Sequence, residues 1–372
     1  QGENIEVRFS GERLSAEKNG SLMFAKFLDS SGNELPNGIL SPYLGQYGLQ
    51  GKIFRLAFRI VHNGDLLIQL SHLFCSLMLA VTASIICILV KKKYNLLMAA
   101  SFYIVFWLSP WIIDFARNLY WVEFTWFIPM AVGLYCAIHI TSRKARIISY
   151  LLAFISILTK SLCGYEYISA VMMGLIFFLS ADFVVYITKK DTKQAKILIR
   201  TIFLIGIMAL LGFITAICIH AQIRGDDDII EGLTIIFKND VLRRTMGANL
   251  NNFYSTIYDS INASVWDTVS KYFSFNTEVI VGIPGNLFQV LCIIPIVIFV
   301  HDHVKHTLKI NIVALYIISF ITSISWIVLA KSHSYIHTHI NFVLWYFGFV
   351  QICIYVICDK FLRVVNTRRG EE

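Results

Sequence analysis

Nine blocks of nearly uninterrupted apolar sequence limit what this chain can fold into. They lie at about 66–90, 95–113, 122–141, 147–159, 167–187, 199–221, 283–300, 310–330 and 340–358. A helix needs roughly 20 apolar residues to cross the hydrocarbon core of a bilayer. All but the fourth, short block approach that length. Inside lipid every backbone N–H and C=O has to be paired within the protein, so such blocks cross as helices. Strands of a β-barrel would alternate apolar and polar residues, and these blocks do not. The sequence therefore predicts an all-α polytopic membrane protein with nine helical spans. Of its 372 residues, 56% are hydrophobic and 15% charged, against about 45–50% and 25% in soluble domains. That balance excludes a cytosolic enzyme, a nucleic-acid-binding module and a disordered chain.

The net charge of +8 is best read as orientation. One set of loops is short and basic: Lys91 to Lys93, Arg143 to Arg146, Lys189 to Lys196, Lys305 with Lys309, and Lys360 to Arg369. These loops alternate strictly with the others, which places them on one side, cytoplasmic by the positive-inside rule. Of the 24 acids, only Asp182, Asp191, Asp302, Asp359, Glu371 and Glu372 fall on or near that side. The expected organisation is an extracytoplasmic region at 1–64, six spans within 65–221, a large outer loop at 222–282, three spans within 283–359 and a cytoplasmic tail at 360–372. An outer first segment needs a way across. A further span upstream of Gln1, giving about ten, is the simplest. The eight cysteines form no CxxC and read as small buried apolar side chains. No GxxxxGK[ST] motif occurs, and no internal repeat is visible.

Chemistry-bearing residues collect at the outer ends of the blocks. Residues 53–60 carry an apolar stripe of Ile53, Phe54, Leu56, Ala57, Phe58 and Ile60, with Lys52, Arg55 and Arg59 off it. This predicts an amphipathic helix lying in the membrane interface. In the turn Ser109–Glu123, Asp114 and Arg117 are spaced to pair on one helical turn. Tyr120, Trp121 and Trp126 are natural interface aromatics. The same turn reads either as a structural latch or as a sugar-binding platform with a carboxylate. Asp114 and Glu123 fall near span ends, where charge is costly unless used or paired. In Thr159–Tyr167, Lys160 is suited to meet a phosphate and Glu166 to orient or deprotonate a hydroxyl, unless the two simply pair. Three histidines follow Lys331: His333, His337 and His339. They suit phosphate or sugar contact, interface packing or, for the i,i+4 pair His333 and His337, a metal. Asp226 to Asp228 form either a divalent-cation cluster or a solvated turn, and Arg243 and Arg244 suit an anionic headgroup. Asn262-Ala263-Ser264 is an N-glycosylation pattern. Asp182 is expected to snorkel and pair near Lys189.

The stretches YLGQYGLQGKIF, RNLYWVEFTWF, KSLCGYEY and HSYIHTHINFVLWY resemble those of bacterial integral-membrane glycosyltransferases of the GT-C class, of the surface-polysaccharide type. The likeness covers most of the chain in architecture and these four stretches in motif. It implies a sugar donor linked to a polyprenyl phosphate, a glycan or lipid acceptor, and transfer with inversion at the outer face of the plasma membrane. It also implies a carboxylate base in the first outer loop, for which Asp29 and Glu34 are candidates there. Glu166 and Asp114 are the other carboxylates in view. Lys160, Arg117, Tyr120, Trp121, Arg243, Arg244, His333, His337 and His339 would contact substrate. No cofactor is required, although a divalent cation would be compatible. Alternatives are a polysaccharide polymerase or ligase, a flippase or transporter for lipid-linked sugars, and a structural envelope subunit. A transporter would call for midplane charges and repeat symmetry.

Overall fold

The computed structural model describes residues 45–245, 255–273 and 277–370. Among these there is no strand, only an isolated bridge between Ile280 and Ile283. Helix α1 (Leu49–Val61) leads into α2 (Gly64–Lys93). The short apolar helices α3 (Leu96–Leu108) and α4 (Phe124–Ile138) follow. Then come α5 (Arg143–Cys163), α6 (Ile168–Thr188) and α7 (Thr192–Arg224). The long loop after α7 holds α8 (Ile229–Ile235), which continues as a π-turn to Val241 and a last turn to Thr245. It also holds α9 (Ser255–Asn262) and α10 (Val265–Lys271). The chain ends with α11 (Phe288–Val304), α12 (Ile310–Leu329), α13 (Lys331–Ile336), α14 (Thr338–Asn341) and α15 (Phe349–Gly370).

The protein is an all-α, multi-pass membrane protein. Six helices are long and apolar enough to cross a membrane among the described residues: α2, α5, α6, α7, α11 with the turn before it, and α12. The bent pair Thr338–Tyr346 and Phe349–Thr367, 50° apart, makes a seventh if taken as one span. Three of the nine expected spans are therefore altered. Block 95–113 breaks at Ser109-Pro110, because the residue before a proline is driven out of helical conformation; Ser109 has ψ 117°. Block 122–141 yields a helix of only 15 residues. Block 340–358 bends at Gly348, whose φ of 111° suits only glycine. The fourth block is instead longer than expected, 21 residues, because Arg143, Lys144 and Arg146 extend the helix beyond the apolar run.

Helix α6 is the centre of the bundle, packed against α4, α7 and α12. Its buried side chains include Leu175, Phe177 and Phe178. Where no aqueous hydrophobic effect drives helices together, close backbone approach at small residues does so. Gly133 of α4 lies so close to α6 that a Cβ there would sit 1.7 Å from the Leu175 carbonyl oxygen. Gly212 of α7 similarly faces Phe154 of α5, at 2.5 Å from its carbonyl oxygen. Gly133→Ala is expected to lower the thermal midpoint in detergent by the equivalent of about 1–3 kcal/mol. Gly133→Leu should prevent accumulation of folded protein. Gly206→Ala, with nothing within 4 Å of the added Cβ, is the matched control. Equal midpoints for Gly133→Ala and Gly206→Ala would refute the close-approach account.

Ion pairs fasten the basic end. Lys93 of α2 meets Asp182 of α6 at 2.6 Å, so the partner of Asp182 is on another helix and not the expected Lys189. Asp302 of α11 receives Lys360 at 2.6 Å and Arg363 at 2.9 Å from α15. Lys309 reaches Asp359 at 3.2 Å. At the opposite end, α1 runs as expected over 49–61. Its Ile53, Leu56 and Ile60 are exposed and Gln50 and Gly51 buried, the pattern of a helix resting on a membrane surface.

Candidate functional site

All four quoted motifs meet at that opposite end. The Gln50 amide of α1 donates to the Tyr120 carbonyl at 2.9 Å and to the Cys163 carbonyl at 3.0 Å. One side chain thus joins the first three stretches. Tyr167, at the start of α6, donates to Asn341 Oδ1 at 2.9 Å and brings in the fourth. Around Tyr167 stands an aromatic wall. Trp121 stacks on its ring at 6.0 Å, while Trp126 at 4.9 Å and Trp326 at 6.0 Å meet it edge-on. Tyr120 is buried and packs edge-on against half-buried Trp121 at 4.9 Å. These aromatics line the interior; they do not form the interface belt expected from sequence.

Lys160 and Glu166 occupy the short link from α5 to α6. Lys160 is 2% exposed and donates to the Gly164 carbonyl at 2.5 Å. Glu166 is also buried, and Arg244 from the long loop after α7 reaches it at 4.0 Å. Arg244 is placed by a folded-back loop. Gly232 of α8 sits so tightly on the end of α7 that a Cβ would lie 1.8 Å from the Ala221 carbonyl oxygen. Arg224 and Asp240 pair at 3.6 Å beneath it. Tyr165 ties the same link to α7 through its 3.1 Å contact with His220. From Arg244 a groove of about 190 Å³ runs between α6, α7, α12 and the loop after α7. Its walls are apolar, including Ile168, Phe213, Ile217 and Leu329, and Leu329 and Val241 are exposed at its rim.

Glu123 was noted in the sequence only as a charge near a span end. It lies in the turn just ahead of α4, is 1% exposed, and neither carboxylate oxygen has a hydrogen-bond partner among the described residues. Burial, reinforced by the negative charge of Asp114, pushes its carboxyl well above the usual carboxylate range. Thr125 Oγ1, Trp126 Nε1 and Trp326 Nε1 in the same assembly likewise have no partner among the described residues. An unpaired buried polar atom costs about 1–3 kcal/mol. Buried polar groups of this kind are met in proteins by water, a ligand or a catalytic role.

The other candidates are less central. Asp114 and Arg117 are exposed, and no ion pair joins them among the described residues. They border a separate groove between α2 and α3 instead of the aromatic wall. His333, His337 and His339 form a row with rings 4.5 and 5.8 Å apart, and His333 abuts Trp326. No group of three or more His, Cys, Asp or Glu is arranged to hold a metal ion among the described residues. Asp226 and Asp227 have left-handed φ, and Asp228 caps α8 by accepting from the Ile230 and Glu231 amides. The triplet is thus a turn and a cap. Ser264 of the glycosylation pattern caps α10 through a reciprocal bond pair with Asp267. Asp29 and the side chain of Arg243 lie outside the described residues.

No known protein family, curated protein or solved structure gives a significant match to this chain.

Proposed function

We propose that this protein is a membrane glycosyltransferase that moves a sugar from a polyprenyl-phosphate donor to a glycan or lipid acceptor at the extracytoplasmic face of the plasma membrane. The C-terminal tail is then cytoplasmic by the positive-inside rule. One observation carries the reading: half-buried Arg244 stands at the head of an apolar groove and pairs with buried Glu166, which lies near the buried cation Lys160. That combination suits an anionic phosphate on a long hydrocarbon chain. Lys160 offers a point charge and Arg244 a planar fork for phosphate oxygens. Glu166 holds Arg244 and the Gly164 carbonyl holds Lys160, and the aromatic wall with its unpaired donors suits the sugar.

Glu123 is the base in this scheme. An acceptor hydroxyl oxygen attacks the anomeric carbon as the bond from that carbon to the phosphate oxygen breaks. The hydroxyl proton passes to Glu123, and polyprenyl phosphate leaves with the bonding pair, its charge met by Lys160 and Arg244. The direct test incubates the purified full chain with polyprenyl-phosphate sugars and cell-derived acceptor and follows transfer by mass spectrometry. Movement of lipid-linked sugar across liposomes with no transfer product would overturn the proposal in favour of transport.

A pH profile gives a second readout. A base must be deprotonated, so the transfer rate should climb as pH rises through a range above that of ordinary carboxylates. Glu123→Gln should lack this limb. Stability runs the other way. A carboxyl whose folded-state pKa is raised favours the fold while protonated, and that contribution is lost as pH rises through the folded-state pKa. A wild-type rate that is flat across this range would remove Glu123 from the role of base.

A further inference from the structure

Helices α5 and α7 both begin at the basic end and run parallel, tightly packed where Gly212 meets Phe154. Toward the basic end they part around a recess of about 540 Å³. Its polar wall holds Arg143, Arg146, Arg200 and Tyr150, and its apolar wall includes Ile147 and Leu204. No acid lines it. The acids described on this face are engaged elsewhere. Asp182 is held by Lys93, Asp302 by Lys360 and Arg363, Asp359 by Lys309 and Arg363, and Asp191 caps α7. Arg143 and Arg200 are exposed and form no ion pair among the described residues. Arg146 is half-buried, and one end of its guanidinium is fixed on the Ile140 carbonyl at 2.5 Å. The N-terminal end of α5 adds its partial positive charge to the same spot.

We propose that this recess binds the phosphate headgroup of an anionic membrane phospholipid, with the acyl chains running along Ile147 and Leu204 between the two helices. Three arginines without acids make the recess strongly attractive to a phosphodiester. Guanidinium groups meet phosphate oxygens in pairs. The recess lies at the basic end, where the spans emerge, and Ile147 is 54% exposed on its apolar side. Basic pockets between transmembrane helices are recognised lipid sites by the same physics. The proposal is independent of the glycosyltransferase reading, which concerns the opposite end of the molecule.

The test is native mass spectrometry of the full chain in detergent, titrated with phosphatidylglycerol and, separately, phosphatidylcholine. Wild type should bind phosphatidylglycerol about tenfold or more tightly than phosphatidylcholine. The R143Q/R146Q/R200Q variant should lose that preference. K91Q/K92Q/K189Q, which removes the same charge from the same face, should keep it. The single variant Arg200→Gln, at an exposed position, should weaken binding several-fold and decides the matter if the triple variant does not fold. The proposal is overturned if the arginine variants bind as wild type does, or if the lysine control loses the preference equally. Displacement of the lipid by millimolar inorganic phosphate would overturn it too, making the recess a site for free phosphate.

Discussion

Glu123→Gln is expected to reduce sugar transfer by about 10²–10⁴, the usual contribution of a positioned general base, while the bundle stays folded. The substitution keeps the shape of the side chain and removes only its ability to accept a proton. Cost to the fold should be small, because the carboxyl is already held toward its neutral form and neither of its oxygens has a partner that would be lost. Thermal unfolding in detergent should therefore stay close to wild type. Glu166→Gln is the informative comparison. Its carboxylate faces Arg244 at 4.0 Å and lies near buried Lys160, so neutralising it releases Arg244 and removes the negative charge that offsets the burial of Lys160. That variant should lose donor affinity and stability together, with the pH limb of the rate intact. Transfer in Glu123→Gln within a few-fold of wild type, with Glu166→Gln inactive and folded, would move the role of base to Glu166.

Much of the architecture is legible in the apolar blocks, because a bilayer demands length and hydrophobicity and little else. The departures are local and have local causes. Ser109-Pro110 ends a helix that hydropathy alone would continue, and Gly348 bends the last block. The helix at 49–61 was readable over 53–60 because its apolar residues recur with helical period. Partners were not readable. Asp182 finds Lys93, 89 residues away, and sequence proximity to Lys189 pointed elsewhere. The site is a similar case. Each of its motifs is visible as a cluster of polar and aromatic residues at a span end. That Gln50 would reach both Tyr120 and Cys163, 70 and 113 residues away from it, depends on how the helices close. Among the carboxylates, Asp114 and Glu123 differ by nine positions in one turn, and spacing gives no ground for choosing. Packing separates them: Asp114 is exposed and Glu123 is buried. A carboxylate flanked by Trp121, Val122, Phe124 and Trp126 was the available signal, since burial among apolar neighbours is what shifts a carboxyl upward.

Removing the cations should have the second large effect, and the two substitutions should not behave alike. Arg244→Gln leaves Glu166 without its guanidinium and takes a phosphate-binding fork from the head of the groove. Loss of one such donor costs about 10²–10³ in rate where charge develops in the transition state. The protein should still fold, because Arg244 is held by a peripheral loop and not by the spans. Lys160→Met acts from within α5. The ammonium is buried and bonded to the Gly164 carbonyl, so its loss leaves that carbonyl unpaired and Glu166 with one cation fewer. Transfer should fall by a comparable factor, and the thermal midpoint should fall as well. If both cations grip the same phosphate, the double variant should be little worse than the poorer single one, because the second removal acts on a site already broken. Fully multiplicative losses would mean that Lys160 and Arg244 act at separate places, and would break the shared phosphate site on which the donor assignment rests. The readout is kcat/KM for the donor in all four proteins, with binding of the lipid phosphate product measured alongside. A loss confined to the acceptor KM would equally contradict the assignment.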